Sequence, residues 1–530
     1  MGYRKLQKIE FWAILLGALG GLGAQAQQSI YPKMPLGRSG SSSIRSTQEA
    51  SSIKMVPRLQ GDNSILNIPY LQVASSRLED TAMNRSPFYD GGLTSSPSRA
   101  VESNLAQEDA PEKMSAQQHQ YQIEHPGGRP IENLNLRGGY LIMLPFSQTL
   151  DGAGNPVRQF LAKRGIGLMR FGDTDFTYNT LTPPVANGKQ TYTGQRPTWK
   201  TSHYFFASWD LRQLGVHGGQ LYAIGALQKI SWNAGGPNAF QFGALAYYQQ
   251  LFKDHLEVVG GYIDNDLNYV GTIVGGQASS SALGVYASLP FEVGMSYIPM
   301  TTPAINLKAN YEKFWYTRVG FQRSMDPNGG PVNSRRDSVG LRFIPKGDKL
   351  LTIGEQGYRR PASANKMETW LRFGGMYNTT HFNDLKRGGK CNDNYMGYVL
   401  YDRQIWQADK SMPFRGLYAG GSAMYAPPKQ NPYTQYYELR LYTMGLFASR
   451  PSDMITVVAS HTAYSPYIKR KEIALGQTYW NSATSITGSY NFRVVRGLFF
   501  STGLGYTNGP AIAPRAKSSL NLIAQINLFL

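Results

Sequence analysis

The sequence has a single cysteine, Cys391, and no long uninterrupted run of apolar residues after its first 26 positions. One cysteine excludes an internal disulfide framework. A transmembrane helix needs about 20 consecutive apolar residues, which excludes a protein that crosses a membrane by helices. The histidines show no metal-ligand spacing such as HExxH, and no cofactor-binding motif accompanies them. We therefore expect neither a metal nor another cofactor.

The first residues have the organisation of a secretory signal. Arg4 and two nearby lysines precede a short apolar run at 11–23, and small residues flank Gln25. A membrane anchor is the alternative, but the run is too short to cross about 30 Å of hydrocarbon. We predict a signal peptide over residues 1–26, cleaved after Ala26, and an exported protein.

Charge is distributed unevenly along the chain. The total is +19, and residues 136–530 contain 40 basic and 22 acidic residues. A basic nucleic-acid-binding protein conflicts with the export signal and has no motif to support it. A basic pore wall, or basic loops that face anionic lipopolysaccharide, fits an exported protein better. We expect outer-membrane lipid and lipopolysaccharide as partners, and no nucleic acid.

Residues 27–135 have a different composition from the rest. They hold a serine run at Ser39–Ser43 and a glutamine-rich stretch at Gln117–Gln122, and no sustained hydrophobic period. This composition predicts a low-complexity, largely disordered periplasmic segment. Docking to the cell wall and plugging of a pore both stay open as its role.

From about Arg137 onward, short segments alternate polar and apolar residues between turn residues. In Leu520–Leu530 the even-numbered positions are all apolar, whereas most odd-numbered ones are polar. A soluble sandwich would need an enormous core for so many strands, whereas a closed barrel places the apolar face against lipid. We predict an all-β fold, a transmembrane antiparallel β-barrel over residues 136–530. At roughly 20–25 residues per strand and connection, about 16–18 strands result, with sixteen preferred.

Local features agree with a barrel of the outer membrane. The connection near Val495–Gly497 is as short as a periplasmic turn. Aromatic residues near segment ends suit interfacial girdles. Those residues are Trp315, Tyr316, Trp406, Tyr479 and Trp480.

Several segments from about residue 200 to the end resemble one known family. The first group is Trp209–Gly215, Gly218–Tyr222, Ala246–Gln250, Val258–Asp266 and Ser281–Val285. The second is Gly397–Gln404, Arg415–Tyr418, Ala426–Pro428 and Arg450–Asp453. In this order they resemble the carbohydrate-selective porin family of the OprB type. Gly261 stands where a basic residue is expected, and Arg403 where glutamine is common.

The resemblance implies a non-enzymatic pore through which monosaccharides and small oligosaccharides diffuse across the outer membrane of a Gram-negative cell. Arginine suits such a pore because its planar group offers several fixed donors to sugar hydroxyls. Alternation predicts a first set of pore-lining candidates, Lys308, Arg342, Glu438, Arg440 and Arg493. The family-like segments add Asp210, Arg212, Asp264 and Asp402. For each, the competing interpretation is a charge that only solvates a wet wall.

Three functions remain to be compared. The preferred one is a sugar-selective porin with a basic, aqueous lumen; the others are a general or anion-favouring porin, and a structural barrel with a periplasmic partner. The oligomeric state stays open between a monomer and a homotrimer. The turn-rich segments Asp326–Pro331 and Lys386–Asn394 are candidates for a loop that narrows the pore.

Overall fold

A computed structural model describes residues 130–138, 144–181, 190–232, 238–270 and 289–530. The predicted signal peptide, nearly all of the segment 27–135 and the family-like segment Ser281–Val285 lie outside these residues. Within them, sixteen strands form one closed antiparallel barrel. The predicted fold class and strand number are therefore confirmed.

The barrel wall is built from two series of strands. The first series is β1 (Ile166–Asn179), β2 (Thr198–Asp210), β3 (Gly219–Ile230), β4 (Phe240–Leu251), β5 (Leu256–Ile263), β6 (Thr302–Tyr311), β7 (Trp315–Arg323), β8 (Leu350–Arg360) and β9 (Thr369–Asn378). The second is β12 (Asn394–Gln407), β13 (Gly416–Tyr425), β14 (Tyr433–Met444), β15 (Met454–Tyr464), β16 (Ser482–Val495), β17 (Leu498–Asn508) and β18 (Ser519–Phe529). Between them, β10 (Phe382–Asn383) and β11 (Lys390–Cys391) form a separate hairpin, so β9 pairs directly with β12.

Closure occurs where the last strand meets the first. β18 pairs antiparallel with β1, with Phe529 opposite Phe171 and Asn521 opposite Asn179. The final residue extends this ladder, because Arg170 N donates to Leu530 O at 2.9 Å. The wall consequently has no free edge at the seam.

The two ends of the barrel differ in the length of their connections. At one end, here called the turn end, connections are as short as residues 496–497 and 312–314. The opposite end, here called the loop end, carries the long connections 264–301 and 324–349. Short periplasmic turns and longer extracellular loops are typical of outer-membrane barrels, which assigns the turn end to the periplasm.

Short helices lie before β1 and in the connections between strands. The α-helices are α1 (Pro156–Ala162), α2 (Leu289–Glu292), α3 (Gly330–Arg336) and α4 (Pro466–Ala474). Among the described residues, 3-10 helices span Pro130–Leu134, Phe146–Gln148, Leu211–Leu214 and Asn265–Leu267. In the part of the chain that the structure describes, none of the helices combines the length and apolarity needed to cross a bilayer.

The outward face of the wall is apolar and aromatic. On four adjacent strands near the loop end, Tyr377, Tyr395, Tyr425 and Tyr437 are exposed on this face. Such residues sit well at the boundary between lipid tails and headgroups. Tyr316, expected in a girdle, instead points inward and is buried.

Two local expectations are wrong. Residues 130–135, expected to be disordered, form a 3-10 helix and its end, and the first strand begins only at Ile166. The residues around Arg342 do not form a wall strand. They belong to the connection 324–349, in which Val339 O accepts a hydrogen bond from Phe242 N at 3.0 Å. The chain bends there beside β4, and the apolar–polar alternation does not become an alternation of burial, since Val339, Arg342 and Phe343 are all exposed.

Candidate functional site: the barrel lumen

Every wall strand turns alternate side chains into the lumen, and β18 shows the rule clearly. Asn521, Gln525 and Asn527 point inward and are buried, whereas Leu522 and Ile526 point outward and are exposed. The period of two in a strand produces this separation. The polar face of the sequence is therefore the inner face of the wall.

The described parts of the connection 264–301, residues 264–270 and 289–301, enter the lumen. Tyr269 is fully buried, and its hydroxyl donates to Asn306 Oδ1 on β6 at 3.1 Å. Its carbonyl oxygen accepts from Arg372 Nη1 on β9 at 3.3 Å, and the guanidinium of Arg318 lies 5.7 Å from its ring. This loop therefore contacts the inner wall on three strands.

The same loop reaches the far side of the barrel. Its helix α2 contacts β14, which is separated from β5 by β6–β9, β12 and β13. Asn378 Nδ2 on β9 donates to Val293 O at 2.6 Å and fixes the chain just after α2. The inserted loop is thus formed by residues 264–270 and 289–301. Lys386–Asn394 carries exposed cations on the β10–β11 hairpin, and Asp326 pairs with Arg336 within its own connection.

Three predicted residues meet in one ion-pair cluster on β12 and β14. Arg440 Nε and Nη2 donate to the two carboxylate oxygens of Asp402 at 2.8 and 2.7 Å. Arg440 Nη1 donates to Glu438 Oε1 and to Ser422 Oγ, each at 2.7 Å. Paired charges of this geometry are held rigidly, because the guanidinium fork matches carboxylate oxygens.

The cluster crosses β13 because that strand has glycine at the crossing point. A Cβ atom at Gly420 would lie 2.8 Å from Arg440 Nε, closer than van der Waals contact allows. Asp402 on one side and Arg440 on the other can meet only over a residue without a side chain. Alternation identified Glu438 and Arg440, and the family-like segments identified Asp402, but only the register places Gly420 between them.

A second inward cluster combines aromatic rings with arginines, and the sequence analysis missed all its members. The guanidinium groups of Arg359 and Arg372 lie 4.4 and 4.0 Å from the ring of Trp370. Tyr398 and Tyr316 donate to the two oxygens of Glu355 at 2.8 and 3.2 Å. The alternation of inward and outward residues along β8 and β9 was the signal that could have identified them.

Lys308 lies beside this cluster. Its ammonium donates to Glu257 Oε1 at 2.7 Å, and Asn310 Nδ2 donates to the same oxygen at 2.8 Å. In the β6–β7 register, Lys308 is opposite Arg318. The predicted inward direction of Lys308 is therefore correct, and its charge is paired.

A third group on β1 and β2 was also missed. Lys200 Nζ lies 3.0 Å from Asp173 Oδ2 and 2.9 Å from Asp175 Oδ2, and all three side chains are buried. Asn527 and Gln525 stand opposite the two aspartates on β18. These three strands of the wall combine amide groups with an acidic pair that a single lysine bridges.

The remaining predicted residues do not join these clusters. Asp210 ends β2 near the turn end, where Arg137 pairs with it at 3.2 Å. Arg212 follows, half exposed, in the 3-10 helix Leu211–Leu214. Asp264 is buried where the inserted loop begins, and Arg342 is exposed in the connection 324–349. Arg493 points inward on β16 near the turn end.

The carboxyl group of Asp264 lies in an unusual electrostatic environment. Burial of the carboxyl group and the nearby charge of Asp266 raise the pKa of Asp264 well above its ordinary value. Both effects disfavour the ionised form. The entrance of the inserted loop therefore takes up a proton more readily than an exposed carboxylate does.

Comparison with known proteins gives a family and a fold. The sequence model of the carbohydrate-selective porin, OprB family, matches residues 210–514. The high-pH structure of Pseudomonas putida OprB is similar with a TM-score of 0.62 at 14% identity, covering 72% of this chain and 98% of that one. Its low-pH structure gives 0.46 at 13% identity, with 72% and 99% covered. A porin of Rhodopseudomonas blastica gives 0.40 at 9% identity, with 69% and 100% covered. No curated protein matches the sequence significantly.

Proposed function

Because this chain belongs to the OprB family of carbohydrate-selective porins, we propose that it lets monosaccharides and small oligosaccharides diffuse passively across the outer membrane. It is an outer-membrane channel and not an enzyme. Export by a signal peptide cleaved after Ala26, in a Gram-negative cell, belongs to the same proposal. The sugar and its contact residues are the parts that need an experiment.

The observation that carries the proposal is the composition of the wall where the inserted loop meets it. The guanidinium of Arg359 lies 4.4 Å from the ring of Trp370, and the ammonium of Lys308 lies 5.7 Å from the ring of Tyr316. The side chains of these two cations are 20% and 24% exposed, so a solute in the lumen can reach them. Sugars combine hydroxyl groups with apolar CH faces, so fixed donors next to aromatic faces suit them. Binding at such a site must stay weak enough for the solute to leave.

Pairing of the lumen charges favours neutral solutes over ions. Lys200, Lys308 and Arg440 each have a carboxylate within 3.0 Å. A paired cation keeps its hydrogen-bonding groups but attracts free anions less strongly than an isolated one. We therefore propose a lumen of alternating charge as the basis of preference for sugars.

A general or anion-favouring porin is the second candidate, and the loop end supports it. Acidic groups there are buried, such as Asp326, Asp337 and Asp348, whereas cations are exposed. The exposed cations are Arg335, Arg342, Lys346, Lys349, Lys386, Arg387, Lys390, Arg470, Arg515 and Lys517. This surface would attract anionic solutes, and equally the phosphates of lipopolysaccharide around the barrel.

Conductance of the full-length protein in planar bilayers separates the two candidates. We expect glucose or a malto-oligosaccharide to reduce the single-channel current reversibly, and the reversal potential in a salt gradient to stay near zero. A strongly anion-selective reversal potential without any block by sugar would instead establish the second candidate.

One variant tests whether the block of the current by sugar depends on a side chain of the barrel wall. Arg359→Gln should weaken sugar block about tenfold, since a hydrogen bond to a charged group contributes about 1.5–3 kcal/mol and this side chain is partly exposed on the inner wall. The matched control is Arg403→Gln on β12, because Arg403 is exposed on the outward face. Equal block in both variants would remove Arg359 from the sugar path.

A further inference from the structure

The described segment before β1, residues 131–138 and 144–150, lies inside the barrel mouth at the turn end. The inward-facing Ser208 on β2 donates its hydroxyl to Leu134 O. On β3, Gln220 Nε2 donates to Asn135 O at 2.9 Å, and its Oε1 accepts from Arg137 N at 3.0 Å. Inward side chains of two wall strands thus hold the backbone of this segment.

The segment extends along a large part of the circumference. A Cβ atom at Gly138 would lie 2.7 Å from the side chains of Tyr248 on β4 and Val259 on β5, so the backbone is pressed against both strands. At its other end, Leu150 N donates to Phe529 O on β18 at 2.9 Å. Between these points lie β1, β2 and β3, so more than a third of the wall is lined by this chain.

Apolar packing holds the segment in place. Ile131, Leu134, Leu144 and Phe146 are each between 1% and 4% exposed and pack in one cluster with inward side chains of the wall. The wall members of this cluster include Met169, Phe171, Tyr204, Phe206, Phe499 and Phe529. Each buried side chain of this size contributes about 1.5–3 kcal/mol. An apolar lining of this kind contrasts with the amide-rich inner face of β18 nearer the loop end.

A single carboxylate joins the two arms of the segment. Glu132 accepts hydrogen bonds from Phe146 N at 2.7 Å and from Ser147 N at 2.8 Å, one with each oxygen. The arm that passes over β2 and β3 is therefore tied to the arm that returns to β18. Gly167 on β1 makes room beneath it, because a Cβ there would lie 2.9 Å from Leu134 Cβ.

We propose that residues 131–138 and 144–150 form a fixed inner collar that narrows the periplasmic mouth and limits the size of solute that leaves the pore. The collar is a second constriction, separate from the inserted residues 264–270 and 289–301, and it acts by size rather than by charge. The inference rests on the proposed pore function only in that solutes pass through the lumen. It assigns a role to the end of the segment that sequence composition had left open.

Thinning the collar tests this proposal. The double variant Leu134→Ala/Phe146→Ala should raise the single-channel conductance in potassium chloride and the size of the largest polyethylene glycol that enters the channel. The matched control Leu504→Ala/Phe373→Ala makes the same exchanges at exposed, outward-facing positions and should conduct like the wild type. Wild-type conductance and exclusion size in the folded double variant would overturn the proposal.

Adding bulk gives a second test that does not depend on the folding of the double variant. Asn135→Cys in a Cys391→Ser background leaves one half-buried thiol on the collar. Modification of the open channel by a charged thiol reagent should lower the conductance. An unchanged conductance after complete modification would place this segment away from the solute path and refute the collar.

A tether decides whether the collar is fixed or moves as a gate. In the Cys391→Ser background, Leu134→Cys/Gly167→Cys brings two thiols close enough for a disulfide after a small adjustment. A fixed collar predicts equal conductance before and after reduction; an increase on reduction would show a gate and contradict the proposal. All three readouts use ions and polymers, so failure of sugar block would be recognised separately as failure of the proposed function.

Discussion

Arg440 on β14 and Asp402 on β12 are joined by two hydrogen bonds of 2.8 and 2.7 Å, although β13 lies between their strands. The pair exists because Gly420 leaves the inner surface of β13 open. Glu438 completes the cluster with a further bond of 2.7 Å from Arg440. A charge array of this kind depends on the strand register as much as on the charged residues themselves.

Removing one partner should show the strength of this cluster. Asp402→Asn leaves Arg440 with one carboxylate, and breaking a buried pair in this way costs about 3–5 kcal/mol. Unfolding by urea of the barrel reconstituted in lipid vesicles measures the loss. Arg403→Gln, one residue away on the outward face, should change the stability by less than about 0.5 kcal/mol. An equal loss in both variants would argue against the cluster.

Filling the space over β13 tests the same geometry without touching a charge. Gly420→Val should displace the Arg440 side chain, lower the stability by about 1–3 kcal/mol as overpacking does, and alter ion selectivity. Gly397→Ala on β12 is the control, since its nearest Cβ contact would be 3.8 Å away. The prediction fails if Gly420→Val keeps wild-type stability and wild-type reversal potential.

The triad on β1 and β2 should respond to loss of its cation. Lys200→Met leaves Asp173 and Asp175 buried without their shared partner, so we expect destabilisation of about 3–5 kcal/mol. Adding Asp173→Asn and Asp175→Asn should recover most of the loss, because no buried charge then remains. Lys229→Met, exposed on the outward face of β3, serves as control in the same unfolding assay. No recovery in the triple variant would contradict this electrostatic reason.

The raised pKa of Asp264 predicts that the stability and the reversal potential of the channel depend on pH. Because burial and Asp266 raise its pKa in the folded state, the neutral carboxyl is favoured by folding, and ionisation at higher pH opposes burial of the loop. Stability linked to this group is therefore present at low pH and declines as pH rises from the ordinary carboxyl pKa through the raised folded value. In that window the loop should also gain negative charge.

Reversal potentials measured across pH should show a titration step above the ordinary carboxyl range, and Asp264→Asn should abolish it. A step that persists in the variant would assign the titration to another group.

The sequence by itself determined the architecture. In Leu520–Leu530 alternation alone identified the lipid-facing leucines and the inward amides, because a strand sends successive side chains to opposite faces. The same rule oriented Glu438, Arg440, Lys308 and Arg493 correctly. It was wrong at Arg342, where the chain bends beside β4 and leaves Val339, Arg342 and Phe343 exposed alike.

Only the tertiary structure decided which inward residues meet. Arg440 and Asp402, Lys200 and Asp173, and Tyr269 and Arg372 are distant along the chain, so their contacts depend on register and on the path of the loop 264–301. The collar also depends on the path of the chain, since Leu134 contacts β1 and β2 from a segment whose sequence shows no hydrophobic period. A local sequence pattern predicts the direction of a side chain relative to its own strand. The distances between side chains on different strands are set by closure of the barrel.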